Sequence, residues 1–328
     1  MRPRAAFPLA AALVCASMGC TRGRSAARAD AGAKDDAASS PPDEDGADDA
    51  GGDATDEDAA PTQAFVRIAQ ASPDAPSLDV CVAPHGSGSF EGPLLAQLAV
   101  SLAGDAGAPA DAAAPGLAYA QVSAYVALDP GAYDVRVVAA GNPCASLPLL
   151  PDRTDLPALA AGTYATLLLA GETATGDAGA PIGLTALFDD ATLPGGGALL
   201  RAVNAAPEEP LLDFGLGEAA TWLPVLTNVG FGAASAQTAP GEGSVDANGY
   251  VPADPTAPGG QAFSARVSSS DAGTNFASAG SVAIDLGAIA TLVAIGRAGD
   301  AAHPPALLVC IDDAPAGGLL ADCSVATP

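Results

Sequence analysis

From residue 64 onward, apolar positions fall into short runs rather than long stripes. Tyr133, Val135 and Val137 alternate with Asp134 and Arg136, and Phe263, Ala265 and Val267 alternate with Ser264 and Arg266. A period of two belongs to a strand with one face buried. Thr166 to Ala170 and Thr291 to Ile295 are continuous apolar runs bounded by glycines, as fully buried strands are. Asp129-Pro130-Gly131 is a turn, because proline presets φ and glycine supplies positive φ. Leu94 to Leu102 is expected to form one short helix. Gly104 to Gly116 and a stretch from about Ala234 to Gly260 are expected to be loops. Many short strands, frequent turns and no sustained 3.6 period predict an all-β chain of antiparallel sandwiches.

The runs repeat. Val66-Arg67-Ile68-Ala69 through Pro73, Pro76, Leu78, Asp79 and Val80 aligns without a gap with Leu200-Arg201-Ala202-Val203 through Pro207, Pro210, Leu212, Asp213 and Phe214. Gly162-Thr163-Tyr164-Ala165-Thr166-Leu167 answers Gly287-Ala288-Ile289-Ala290-Thr291-Leu292, and Leu187-Phe188-Asp189-Asp190 answers Cys310-Ile311-Asp312-Asp313. Three blocks in the same order define two related domains, 64–194 and 198–328, divided near Pro194-Gly195-Gly196-Gly197.

The N-terminal region has a different character. Arg2 and Arg4 precede an apolar stretch, Ala5 to Met18, which is too short to span a bilayer and reads as an export signal over residues 1–20. Ser17-Met18-Gly19-Cys20 resembles the lipobox of bacterial lipoproteins. Gly19 is the small residue before the cysteine, while Ser17 stands where leucine is usual. Lipidation of Cys20 is expected, and Thr21 in place of aspartate points to the outer membrane. The alternative is cleavage after Ala16 or Ala29 and a secreted protein. Residues 21–63 have almost no large apolar side chain and crowd Asp and Glu between Asp35 and Asp58. Such a segment cannot offset its ordering entropy and is expected to be a disordered acidic tether. Asp43, Asp45 and Asp48 lack the remaining ligand positions of a calcium loop.

Composition narrows the chemistry. The formal charge is −26, Lys34 is the one lysine, and six arginines lie scattered beyond it. No basic face exists to hold a phosphate backbone, so no nucleic-acid partner is expected. The two histidines, His85 and His303, lie in loops without ligand spacing. Neither a Cys-x-x-Cys, a Gly-x-Ser-x-Gly elbow nor a phosphate loop is present, and no cofactor is expected. The recurring pairs Arg67/Asp79 and Arg201/Asp213 are read as structural ion pairs that fix strand register, the alternative being an anion site. Asp189-Asp190 and Asp312-Asp313 close a strand in each repeat and are placed at turns or rims, the alternative being a cation site. With Cys15 in the signal and Cys20 at the anchor, Cys81, Cys144, Cys310 and Cys323 remain for an oxidising compartment. Pairing within each repeat, Cys81 with Cys144 and Cys310 with Cys323, is expected, the alternative being free buried thiols.

The segment Arg67 to Val80, with Tyr125, Leu128 to Val135 and Ala161 to Tyr164, resembles the bacterial family called domain of unknown function 4397. The resemblance recurs more weakly from Leu199 to Asp313, where Glu209 replaces the usual alanine. It implies tandem immunoglobulin-like sandwiches on an exported or surface-attached chain, and no chemistry. The expected function is therefore a non-enzymatic cell-envelope module for binding, adhesion or structure, contacting a protein or polysaccharide and touching the membrane through its lipid alone. A secreted hydrolase working through carboxylates is the alternative. A broad protease is expected to cut residues 21–63 and leave a fragment beginning near Ala64, read by mass spectrometry. A chain that stays intact under mild digestion would overturn the tether.

Overall fold

Residues 62–97, 116–174, 179–192, 196–217, 221–254, 256, 260–268, 274–313 and 320–326 are described by a computed structural model. The export signal, Cys20, the acidic tether and the Pro194-Gly195 divide lie outside the described residues. The first half contains β1 (Ala64–Gln70), β2 (Leu78–Pro84), the short helix α1 (Leu94–Gln97), β3 (Gln121–Val122), β4 (Val126–Leu128), β5 (Tyr133–Ala139), β6 (Tyr164–Ala170) and β7 (Gly183–Asp189). The second half contains β8 (Ala198–Asn204), β9 (Leu211–Leu216), β10 (Leu223–Gly230), β11 (Tyr250–Ala253), β12 (Gln261–Val267), β13 (Asn275–Val282), β14 (Ile289–Ile295), β15 (Ala306–Asp313) and β16 (Leu320–Val325). The helix expected to reach Leu102 is described only to Gln97.

Each half is a two-layer β-sandwich. In the first, the sheet β3-β1-β6-β7, with β4 also on β1, faces the pair β2-β5. In the second, β11-β8-β14-β15-β16 faces β10-β9-β12-β13. The sandwiches are not wholly antiparallel: β1 runs parallel to β6, and β8 parallel to β14. Period two explains the interior, with Val66, Ile68, Leu78 and Val80 buried in one sandwich and Leu200, Ala202, Leu212 and Phe214 in the other.

The continuous apolar strands have a different cause. Leu167 and Leu169 of β6 point into their own sandwich, whereas Leu168 and Ala170 point outward and pack on Val203, Val293, Ile295 and Leu308 of the second half. The two central sheets thus bury their outer faces against each other, and the described residues all belong to one compact unit, Asp56–Pro328. Full burial of each of these Val, Leu and Ile side chains contributes about 1.5–3 kcal/mol. Gly171 and Gly296 end β6 and β14 with φ of +101° and +91°, and an added Cβ would strike the carbonyls of Pro181 and Pro304. Their lack of a side chain lets the chain turn tightly there.

Disulfides join Cys81 to Cys144, on the outer face of β2, and Cys310 to Cys323. Cys310 and Cys323 lie directly opposite on β15 and β16, so strand rather than turn continues to Asp313 and resumes at Leu320. The linked residues are separated by 63 and 13 positions. On the chain-entropy relation these loops contribute about 4 and about 3 kcal/mol. Replacing Cys81 and Cys144 by alanine is therefore expected to lower unfolding free energy at least as much as replacing Cys310 and Cys323, by denaturant titration. The reverse order would overturn the entropic account.

Candidate functional site

The most concentrated polar chemistry lies between the central sheets. Arg67 on β1 and Arg201 on β8 follow inward-facing Val66 and Leu200, so alternation turns both guanidinium groups outward, toward the opposite half. Each is 1% exposed. The Arg67 Nη atoms donate to both carboxylate oxygens of Asp312, at 2.6 and 3.0 Å, and its Nε donates to Thr166 Oγ1 at 2.8 Å. Arg201 Nη2 donates to Asp189 Oδ1 at 2.5 Å and to Thr291 Oγ1 at 3.2 Å, while Nη1 donates to the Phe188 carbonyl at 2.7 Å. Each arginine also lies over a tyrosine ring: Arg67 at 4.8 Å from Tyr125, Arg201 at 4.4 Å from Tyr250. One set of residue types therefore occurs twice, as Arg67, Tyr125, Thr166 and Asp189 and as Arg201, Tyr250, Thr291 and Asp312. Each arginine makes its tight carboxylate bond to the other half.

The two carboxylates are not equivalent. Asp189 accepts from Arg201, from Thr166 Oγ1 at 2.7 Å and from Tyr125 Oη at 2.9 Å, and Arg67 Nη2 lies 3.8 Å away. Burial pushes its pKa upward, but the two arginines outweigh burial and hold it below the ordinary carboxylate value. Asp312 is bonded to Arg67 alone of the two arginines, and there burial prevails and raises its pKa. Burial disfavours the Arg67 cation, yet Asp189 and Asp312 keep it charged with a raised pKa. Burial also raises the pKa of Tyr125 and Tyr250, so both stay neutral.

This geometry corrects the expected pairing. Arg67 does not meet Asp79, nor Arg201 Asp213, because β1 and β2, like β8 and β9, lie in opposite layers of a sandwich. Asp79 instead accepts the backbone N–H groups of Val80 and Leu95, at 2.7 and 2.9 Å, and positions α1. Asp213 accepts from the Asn228 N–H at 2.7 Å and Ser268 Oγ at 2.5 Å. Asp189 and Asp312 are not rim residues: each is the buried partner of an arginine. Asp190 fits an edge position, accepting from Asn248 Nδ2 at 2.6 Å. The signal that marks the true set is a repeated polar residue, Thr166 or Thr291, on a strand face otherwise occupied by Leu168 and Ala170 or Val293 and Ile295.

The cluster is sealed. A cavity of about 10 Å³ beside Arg67, Arg201, Thr166 and Thr291 has room for a single water and no larger anion. What the arrangement does chemically is tie two sandwiches together. Further ties run alongside, as Arg297 reaches Glu172 at 3.0 Å and Tyr119 packs edge-on against His303 at 4.8 Å. His85 Nδ1 lies 2.7 Å from Asp134, outside the interface. Among the described residues, no group of three His, Cys, Asp or Glu is placed to hold a metal ion. None of their helices is long and apolar enough to cross a membrane.

Comparison with known families meets this geometry at one place. Residues 64–215 match the family described as Domain of unknown function (DUF4397). The likeness covers that span. It takes in the whole first half, β8 and nearly all of β9, and so includes both Asp189 and the Arg201 that reaches back to it. No curated protein matches the chain.

Asp189→Asn is expected to cost about 3–5 kcal/mol at neutral pH, because it leaves buried arginines under-neutralised, and to cost more than Asp312→Asn. Asp189 has a depressed pKa, so its contribution is complete above the ordinary carboxylate value and is lost as pH falls through the depressed one. The gap between wild type and Asp189→Asn should therefore close with acid, as read by urea unfolding from pH 7 to pH 2. Equal costs for the two variants, or a gap independent of pH, would refute this account.

Proposed function

We propose that this chain is a non-enzymatic cell-envelope surface module: two tandem copies of the DUF4397 domain, carried on an acidic tether from a lipid at Cys20 in the outer membrane. Its part is binding, adhesion or structure, with a protein or polysaccharide at the cell surface as partner. The observation that carries the reading is the Arg67–Asp312 and Arg201–Asp189 exchange. That exchange uses the repeated charged residues to join two sandwiches into one compact unit, and a compact unit suits presentation of edge strands and loops to a partner. Gly19-Cys20, the apolar stretch before it and the acidic stretch after it support the anchored address.

The test is metabolic labelling with an alkyne fatty acid, followed by membrane fractionation and protease shaving of intact cells. Wild type is expected to carry label and sediment with outer membrane, and Cys20→Ala to lose label and become soluble. Unlabelled wild type, or label retained by Cys20→Ala, would overturn the anchor. A labelled protein confined to the inner membrane would overturn the surface address.

A further inference from the structure

The two sandwiches differ at one end, and strand register fixes which residues correspond there. Val82 lies opposite Val135 across β2 and β5, as Leu216 lies opposite Phe263 across β9 and β12. Leu128 lies opposite Ala64, as Ala253 lies opposite Ala198. Tyr133 precedes Val135 by two residues, as Gln261 precedes Phe263.

In the first half this end is filled. Leu128, Tyr133, Leu156 and Leu159 close over Val66 and Val82, leaving about 20 Å³. Backbone bonds between Gly131 and Leu159, 2.8 and 2.9 Å, hold the segment that delivers the last two leucines. In the second half Ala253 and Gln261 stand where Leu128 and Tyr133 do, and a cavity of about 420 Å³ opens over Leu200 and Leu216. That volume falls in the range of small-molecule sites, whereas its counterpart admits nothing larger than water.

The lining gives the ligand its chemistry. Val225, Phe263 and Ile284 add apolar wall, and Glu242, Asp254, Thr256 and Gln261 form the polar part. Thr256 is already engaged, its N–H donating to the Ile284 carbonyl and its Oγ1 accepting from the Ile284 N–H, both at 2.9 Å. It braces the wall. Among the described lining residues the charged ones are Glu242 and Asp254, both exposed acids. The chain's formal charge of −26 adds a field of the same sign, which repels anions and concentrates cations.

We infer that the open end of the second sandwich binds a small organic cation with an apolar body, of the alkylammonium class. The hydrocarbon lies against Leu216 and Phe263, and the ammonium group sits at Glu242 and Asp254. This site does not depend on where the protein resides in the cell.

Hexylammonium, hexanol and hexanoate test it on the purified chain, by titration calorimetry and saturation-transfer NMR. Hexylammonium is expected to bind about threefold to fivefold more tightly than hexanol, the increment of exposed charge pairs, with hexanoate weakest. Glu242→Gln with Asp254→Asn is expected to erase that preference and leave hexanol binding intact. Ala253→Leu with Gln261→Tyr installs the first half's side chains and is expected to abolish binding of all three, with near-UV circular dichroism reporting retained packing. Should that variant unfold, the exposed acid-to-amide pair carries the test alone. No hexylammonium binding at millimolar concentration, equal binding of the three probes, or undiminished binding by a folded Ala253→Leu/Gln261→Tyr chain would overturn the site.

Discussion

Two guanidinium groups, each 1% exposed, sit on strands whose other faces build separate hydrophobic cores. An arginine taken out of water must find a carboxylate or be strongly destabilising, and here the close carboxylate always comes from the opposite half. Withdrawal of either half would break both ion pairs and leave their charged groups to water alone. Leu168, Val203, Val293 and Leu308 would be exposed at the same time. Hydrophobic burial supplies the attraction between the central sheets. The charge exchange fixes their register, because a bidentate guanidinium–carboxylate contact tolerates little displacement.

The duplication is unequal in an instructive way. Asp189 collects Arg201, Thr166, Tyr125 and the near approach of Arg67, whereas Asp312 has the two bonds of Arg67. The same residue types at matching strand positions thus give one carboxylate held ionised and another pushed toward protonation. At the sandwich ends the repeats diverge in bulk instead of charge, where Leu128 and Tyr133 correspond to Ala253 and Gln261. The interface keeps its chemistry in both halves while the far end is closed in one and open in the other. That distribution fits a scaffold whose joint is constrained by paired charge and whose periphery is free to acquire recognition.

Period-two alternation, glycine-bounded apolar runs and proline-glycine turns made the all-β sandwich legible, because each strand's inward face is set locally by its own side chains. Setting Cys15 and Cys20 aside for the expected signal and anchor left four cysteines and three possible pairings, and placing two in each repeat selected Cys81 with Cys144 and Cys310 with Cys323, the pairing the structure holds. Repetition of Arg67 and Arg201 marked both as special, but a repeat identifies what recurs and not what it touches. Their partners depend on how β1 and β8 are layered. That is a long-range property: Arg67 and Asp312 are 245 positions apart. The continuous runs Thr166 to Ala170 and Thr291 to Ile295 showed burial on both faces without naming the second face. Tertiary structure alone decided that the second face is the other half of the chain, that Asp189 and Asp312 lie at the centre of the joint, and that one sandwich end stands open. Local alternation determines which way a side chain points; only the packing of distant sheets determines what it meets there.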